Sequence, residues 1–593
     1  MTPSEAVPVG RSPLERRTVF LPLIGLLVIL GLAAQFRSYA SPDTGFLLEE
    51  AARVLGGARL YVDLVDMNPP LTVILNMAAV LLARHLGLSE ILVYRLGCTV
   101  ALLGMLLLVA WLLRRLLPDE LVLRRAIVLL LAFALFGLAG LDFGEREHLL
   151  LALVVPYLLL AAARANGRRI PAIAAALIGL LAGSAFAVKP HFVLLWFAVE
   201  VYVRLTRRVA WGEVLPETAT IAGFLALYGV AIILWAPGYL QLVRFLGGPY
   251  TGFLYVPFWQ LLVRGPGALL TVFALLVFVA LGRQARHPEL PGVFAIGVLV
   301  CLVAGAAQQK GFSYHFYPSL ALATVVLGLV AWDRAASPRT WVHSVYRVMA
   351  VSVLATVITV TCVRNATSAI QPVRDSEQEQ MERLLPVVRA RAAGESVYVM
   401  SYNISSAYPL INYAGARSAS RFPQLWILAA AYMDQLKGSR PLRYNAPGEM
   451  GLSERYLNQA VREDLRDQQP KLLVVLQHAR DLPANGFRRL DYVAYFSRDP
   501  RIASILERYQ LVADVGDFKV YQRVANGMVR SGRPPGVQPG TRDVVQPRQA
   551  GRSHFRISDP GFLVALLAFV VSAIFASIAE KSRPSARVAP GSA

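Results

Sequence analysis

Apolar residues fall in runs of about 16 to 20, the length a helix needs to cross a hydrocarbon core ~30 Å thick. The first run is Val19–Phe36. Then come Leu71–Leu86, Ile91–Leu113, Ala126–Leu141, Leu149–Ala163, Ile170–Val188, Phe192–Val203 and Ala219–Trp235. Ala268–Leu281, Val293–Ala307, Ser319–Trp332 and Val348–Cys362 follow, and a last run, Phe562–Ile578, stands near the C-terminus. Short Arg-rich segments separate many of these runs, which is how membrane proteins fix orientation. Arg11, Arg16 and Arg17 place the N-terminus in the cytoplasm. The next basic cluster, Arg114, Arg115, Arg124 and Arg125, would fall outside if both runs before it crossed. Leu71–Leu86 is short and follows Asn68-Pro69-Pro70, so it is expected to lie at the outer interface, with Ile91–Leu113 crossing. The count is then about 12 spans, with both termini inside. Val19–Phe36 is long for a signal peptide and reads as an uncleaved anchor.

Between Cys362 and Phe562 the pattern changes. Ser396–Met400 and Lys471–Leu476 are β-branched, apolar and strand-like. Ser376–Arg391 and Arg501–Tyr509 read as helices, and Leu511–Val515 and Phe518–Gln522 flank a Gly516-Asp517 hairpin turn. Strands alternating with helices predict a small α/β domain. Residues 527–556, rich in Pro, Gly, Arg and Gln, predict a flexible linker. The expected organisation is a helical membrane domain over 1–362, a soluble outer α/β domain over 363–526, the linker, and a last span with a cytoplasmic tail over 557–593. Within the first part, residues 37–90 form an outer loop with interfacial helices.

Composition agrees with lipid as solvent: 56% of residues are hydrophobic and 16% charged, where soluble domains have about a quarter charged. The net charge of +21 does not indicate a nucleic-acid partner, because the cations sit in short clusters between apolar runs. The 3 cysteines show no zinc-ligand spacing. No internal repeat is visible, which argues against a transporter built from symmetric halves.

The candidate chemistry lies in the outer loops. The first loop, Ser41–Leu71, carries Asp43, Glu49, Glu50, Asp63 and Asp66. Phe46–Leu55 predicts a short amphipathic helix on which Glu50 pairs with Arg53, three residues on. Asp43 precedes Thr44-Gly45 at the helix start, an N-cap position. It also stands at membrane depth, where acids are usually functional. The second loop, Asp142–His148, packs Asp142, Glu145, Arg146, Glu147 and His148 between two apolar runs, more charge than a turn requires. Lys189-Pro190-His191 and Gln308–Pro318, with Lys310, Tyr314, His315 and Tyr317, add cations and aromatics on the same side. Lysines at span ends also snorkel, and aromatics also form interfacial belts. The long loop Ala236–Gly267 is suited to a lid or to an interfacial helix. A wet, charged, outward pocket suits an anionic phosphate on a lipid tail, with the phosphate met by Lys and Arg.

The first loop, with an acid just after span one, then A-x-x-x-L-x-G, Y-x-D and P-P-L, resembles the GT-C glycosyltransferases. Within that superfamily it is similar to the branch of protein O-mannosyltransferases and lipid A aminoarabinose transferases. Gly183–Pro190 and Lys310–Pro318 share the resemblance, which covers roughly residues 20–330. It implies inverting transfer of a single sugar from a polyprenyl-phosphate donor to a cell-envelope glycan, lipid or protein. The bacterial cytoplasmic (inner) membrane is the implied location, with the site facing the periplasm. Asp43 would be the general base and Asp142 the second acid. Arg146, Lys189, Lys310 and His315 would meet the donor phosphate. Asp63, Asp66, Glu145, Glu147, His148 and Tyr314 would contact acceptor or sugar. The chain departs from the pattern at Thr44, where many members have a second acid, and at Asn68, where many have Lys or His. A tightly bound metal is therefore not expected. The competing readings are an O-antigen ligase or polymerase using diphosphate-linked glycans, and a lipid-linked sugar transporter.

Overall fold

The computed structural model describes residues 13–207, 212–332, 341–371, 376–438, 442–477 and 486–524. Every apolar run from Val19 to Cys362 forms a helix or most of one. The helices before the soluble domain are α1 (Arg17–Arg37), α2 (Pro42–Leu55), α3 (Pro70–Leu86), α4 (Glu90–Leu116) and α5 (Leu121–Ala132). They continue with α6 (Arg146–Ala165), α7 (Ala172–Val188), α8 (Val193–Arg207), α9 (Pro216–Trp235) and α10 (Pro237–Gly252). The series ends with α11 (Phe258–Arg264), α12 (Ala268–Leu281), α13 (Glu289–Ala307), α14 (Ser313–Trp332) and α15 (Trp341–Ile370).

Among these, 7 helices are long and apolar enough to cross a membrane: α1, α4, α6, α9, α13, α14 and α15. A further span forms if α11 and α12, bent by 75°, are taken together. The chain is a multi-pass membrane protein. Fewer helices reach spanning length than the sequence predicts. Helix α5 has 12 residues before a π-helical turn at Phe133–Gly137, α7 has 17 and α8 has 15. Helix α3 has 17 residues and stops at Gly87, whose φ of 65° is a left-handed C-cap. The expected last span, Phe562–Ile578, and the linker 527–556 lie outside the described residues. Helix α15 continues to Ile370, past the expected domain boundary at 362.

Apolar residues both fill the bundle and coat it. Leu102, Phe136, Leu158, Phe186, Val298 and Val326 belong to one buried core, while Leu227, Ile233 and Leu234 on α9 and Leu21 and Ile29 on α1 are exposed. That is the pattern expected of a bundle solvated by lipid. Helices α7 and α9 pack closely because Gly179 has no side chain: a Cβ there would collide with Thr220 and the Glu217 carbonyl.

The soluble domain opens with α16 (Ser376–Ala392) and contains the short helices α17 (Leu410–Ala414), α18 (Trp426–Ala431) and α19 (Met433–Lys437). Its later helices are α20 (Leu452–Gln468), α21 (Tyr492–Phe496) and α22 (Pro500–Leu506). Its strands are β1 (Ser396–Met400), β2 (Arg417–Ser418), β3 (Leu472–Leu476), β4 (Tyr509–Val515) and β5 (Phe518–Arg523). They form one sheet in the order β2-β1-β3-β5-β4. The first three are parallel, and β4 and β5 make an antiparallel hairpin whose turn uses Gly516 at a φ of 58°. Every residue of β3 is buried, as a central strand covered on both faces should be.

This domain shares a core with the first loop. Phe46, Leu47, Tyr61 and Val65, together with Leu242 and Leu246 of α10, pack with Tyr408, Ile411, Trp426 and Leu428. Polar contacts reinforce the seam. Ser418 N–H donates to Glu49 Oε1 (2.9 Å), Asn412 Nδ2 to the Gly45 carbonyl (3.0 Å), and Val65 N–H to the Arg421 carbonyl (2.8 Å).

Candidate active site

The site begins where α2 begins. Ser41 is the N-cap: its Oγ accepts from Thr44 N–H at 3.2 Å, and Pro42 opens the first turn. Asp43 is therefore in the first turn rather than at the cap. Its Oδ2 pairs with Arg146 Nη2, and Arg146 also donates to Asn68 Oδ1. Asn68 in turn donates to Asp66 Oδ1 through its side chain (2.8 Å) and its backbone N–H (3.0 Å). A carboxylate on one side of Asn68 and a guanidinium on the other fix the orientation of its amide. The chain Asp66–Asn68–Arg146–Asp43 ties three segments together: the first loop, the α2 start and the α6 start.

Behind Arg146 lies a second buried pair. Lys189 Nζ is 2.8 Å from Glu147 Oε1, and His315 Nε2 is 3.9 Å from the same oxygen. Glu147 is fully buried, and Lys189 is nearly so. Burial and the nearby Arg146 pull the Lys189 ammonium below its usual range, while Glu147 opposes them. The Lys189 ammonium is 5.8 Å from the centre of the Tyr314 ring. His315 packs edge-on against Tyr314, and its Nδ1 has no hydrogen-bond partner among the described residues. His191 Nε2 is likewise buried without one. Asp43, Arg146, Glu147, Lys189, Tyr314 and His315 thus form one cluster, with Asn68, His191 and Asp66 at its edges.

Asp43 is its opening: the Asp43 side chain is 18% exposed, against 9% for Arg146 and 0% for Glu147. Glu145 sits beside this pair, buried, with an oxygen accepting from Ser41 Oγ. Burial raises its carboxyl, and the negative Asp43 raises it further. Asp142 lies at the end of the preceding 3-10 turn. Its Oδ1 accepts from Ser313 Oγ at 3.0 Å, one residue before Tyr314, and burial pushes its carboxyl up to about 7.

Three expected site residues are engaged elsewhere. The Lys310 ammonium donates to the carbonyls of Tyr250 (2.8 Å), Thr251 (3.3 Å) and Phe253, so it closes the C-terminal end of α10 rather than waiting for a phosphate. Burial lowers it to about 8. His148 accepts from Gly144 N–H on Nδ1 and meets the Leu135 carbonyl with Nε2, both at 2.9 Å. That fixes the neutral Nε2–H tautomer and makes it a brace for the second loop. Asp63 is an exposed partner of Arg59 at 2.9 Å, and Arg59 holds its carboxyl below the usual range.

The expected Glu50–Arg53 pair is absent. Arg53 Nη1 donates to the Ser420 carbonyl at 2.6 Å, while Glu50 turns inward beside Asp66. No donor among the described residues reaches either Glu50 oxygen. Burial, then the Asp66 charge, raises the Glu50 carboxyl, and burial raises Asp66. Two adjacent buried carboxylates cannot both ionise cheaply, which is why each is raised. Asn68 and Glu50 are the parts that sequence reasoning left out of the site, whereas His191 was read with Lys189 as part of it. For Asn68 the signal was position alone: it adjoins a proline at the foot of an apolar run.

No family model matches the chain, and no curated protein matches it. Solved structures similar to it include the following two. One is ArnT from Cupriavidus metallidurans in the apo state, with a TM-score of 0.48 and 14% identity over 86% of this chain and 97% of that one. The other is the arabinofuranosyltransferase AftD from Mycobacteria, with a TM-score of 0.42 and 15% identity over 86% of this chain. This chain spans 40% of the AftD chain. Among the described residues, no group of 3 or more His, Cys, Asp or Glu side chains converges as a metal site.

Proposed function

We propose that this chain is an inverting glycosyltransferase of GT-C type. It moves one sugar from a polyprenyl phosphate to a glycan, lipid or protein acceptor at the outer face of a bacterial inner membrane. The observation that carries this reading is the Asp43–Arg146 pair. The most open acid of the cluster stands directly against a buried guanidinium, and a second buried cation, Lys189, lies behind it. A base and phosphate-binding cations would then belong to one cluster, and the pair would open to admit the sugar between them, since inversion needs the base and the leaving phosphate on opposite faces of the anomeric carbon.

In the proposed reaction the acceptor hydroxyl attacks the anomeric carbon from the face opposite the phosphate. Its proton passes to Asp43. The bond from the anomeric carbon to the phosphate oxygen breaks, and the phosphate keeps the electron pair. Arg146, with its planar fork, and Lys189 carry the charge that develops on the departing phosphate. Tyr314 and Glu145 border the space where the sugar would lie. Asp142, next to Ser313, would orient the acceptor. With cations in that role, no metal is required.

Purified full-length protein in liposomes should transfer a labelled sugar from a polyprenyl-phosphate monosaccharide. Asp43→Asn and Asp43→Ala should each lower kcat by about a thousandfold without loss of expression, with some fall in melting temperature because Arg146 loses its ion-pair partner. Full activity in both variants removes Asp43 as the base. Transfer only of whole diphosphate-linked glycans, or ligand movement across sealed vesicles without covalent transfer, assigns the chain to another class.

A further inference from the structure

A second polar recess lies at the junction of α1, α4 and the soluble domain. Its volume is about 350 Å³, and its walls include Arg37, Ser38, Tyr39, Ser89, Arg95 and Tyr413. Arg95 is only 8% exposed, yet among the described residues its guanidinium makes one hydrogen bond, to the Ser38 carbonyl at 3.0 Å. No carboxylate among the described residues forms an ion pair with it. A buried cation without a counter-ion is costly unless an anion arrives from outside the chain. Arg37, exposed on the same wall, makes a long bond to the Ile370 carbonyl at 3.4 Å and likewise has no ion-pair partner among the described residues.

The third cationic feature is the start of α4, a helix of 27 residues. Its N-cap, Ser89, makes no side-chain cap bond, so the first-turn amides of α4 keep their donors for another acceptor. Two acids stand nearby. Glu90 is in the first turn of α4, and Glu382 lines the recess but accepts from Tyr39 Oη at 2.9 Å. The apolar side decides what kind of anion fits. Phe36, Ile91 and Leu92 line the same recess, and Leu88 and Leu96 beside it on the chain are exposed. A free phosphate has no use for such a wall, whereas the acyl chains of a lipid do.

We propose that this recess binds the phosphate of an anionic phospholipid from the leaflet on the soluble-domain side, with Arg37, Arg95 and the α4 N-terminus as its ligands. Tyr39 and Tyr413, packed edge-on at 5.2 Å, form the wall on the soluble-domain side. The site is separate from the Asp43 cluster and does not depend on the reaction proposed there. Because Tyr413 Oη accepts from Ala40 N–H at 3.2 Å, a lipid held here would brace the chain three residues before Asp43.

The test is lipid retention by the full-length protein, read by native mass spectrometry after exchange into phosphatidylglycerol or phosphatidylcholine nanodiscs. Wild type should retain phosphatidylglycerol over phosphatidylcholine, and Arg37→Gln and Arg95→Gln should each weaken that preference about fivefold. Arg37 is exposed, so Arg37→Gln decides the matter even if Arg95→Gln fails to fold. Equal retention of the two lipids by wild type, or an unchanged preference in Arg37→Gln, overturns the proposal. Displacement of the lipid by inorganic phosphate would assign the recess to a free anion and overturns it as well.

Discussion

Asn68 illustrates how one neutral residue can set the geometry of several charged ones. It receives Arg146 on its carbonyl oxygen and gives its amide to Asp66. Asn68→Ala would free Arg146 to turn toward other acceptors and would leave Asp66 without its side-chain donor. The expected result is a loss of roughly tenfold to hundredfold in kcat/KM with the fold retained, because a small displacement of a positioned group is enough. Steady-state kinetics with a polyprenyl-phosphate donor, alongside a melting curve, checks this. At this scale the sequence showed where to look and not what each group does. Asp43, Arg146 and Lys189 were visible because charge at the ends of apolar runs is expensive to keep without a use. Lys310 had the same signature, yet its partners are carbonyls 57 to 60 residues earlier in the chain. His148 was misread for a similar reason: the Leu135 carbonyl that holds it lies in a π turn that the apolar pattern does not reveal.

Helix α2 is the element that turns this network into a site, since it carries Asp43 at one end and is clasped by the soluble domain along its length. Gly45 is at the tightest point of that clasp. A Cβ there would lie 2.8 Å from Asn412 Oδ1 and 3.0 Å from Pro409 Cα. Gly45→Ala should therefore push the domain away from α2 and cost about 1–3 kcal/mol, with faster proteolysis near the seam and reduced transfer. Unchanged protease sensitivity would show that the seam has slack there. The elements were the most legible level. The strands at Ser396–Met400 and Phe518–Arg523 and the helix from Ser376 lie where their patterns predict, because β-branched runs and amphipathic spacing are local signals. Helix α20 was missed although Leu457, Val461 and Leu465 recur every four residues and are buried, a stripe easily lost in a polar segment. The two-residue strand β2 has no sequence signal of its own and exists through its pairing with β1.

Across the whole molecule, the seam between bundle and domain contains acids that prefer to be neutral. Burial raises Glu49 to about 7 from the usual 4.5, despite the bond from Ser418 N–H, and Glu50 is raised as well. Between those values the folded protein holds protons that the unfolded chain has released. Stability is therefore fully present below pH 4.5 as far as Glu49 is concerned, and it falls as pH rises through about 7. The melting temperature should decline across that window, and Glu49→Gln should flatten the decline, an effect of at most about 3 kcal/mol. A melting temperature independent of pH there, or the same slope in Glu49→Gln, contradicts this account of the seam. The large-scale architecture was partly legible. A multi-pass bundle with a mixed α/β domain follows from apolar runs and charge clusters. The length of each helix does not, because α5 is interrupted by a π turn and α7 and α8 are separated at Pro190 by a 3-10 turn, breaks that run length alone does not show.

The central claim is that Asp43 faces a sugar whose phosphate is held by Arg146 and Lys189. An experimental structure of the full-length protein with a polyprenyl phosphate bound tests it most directly. The account predicts the phosphate within hydrogen-bond distance of Arg146 or Lys189, with Asp43 across the space where the anomeric carbon would lie. A phosphate bound away from both cations, with the Asp43–Arg146 pair closed and undisturbed, would contradict it.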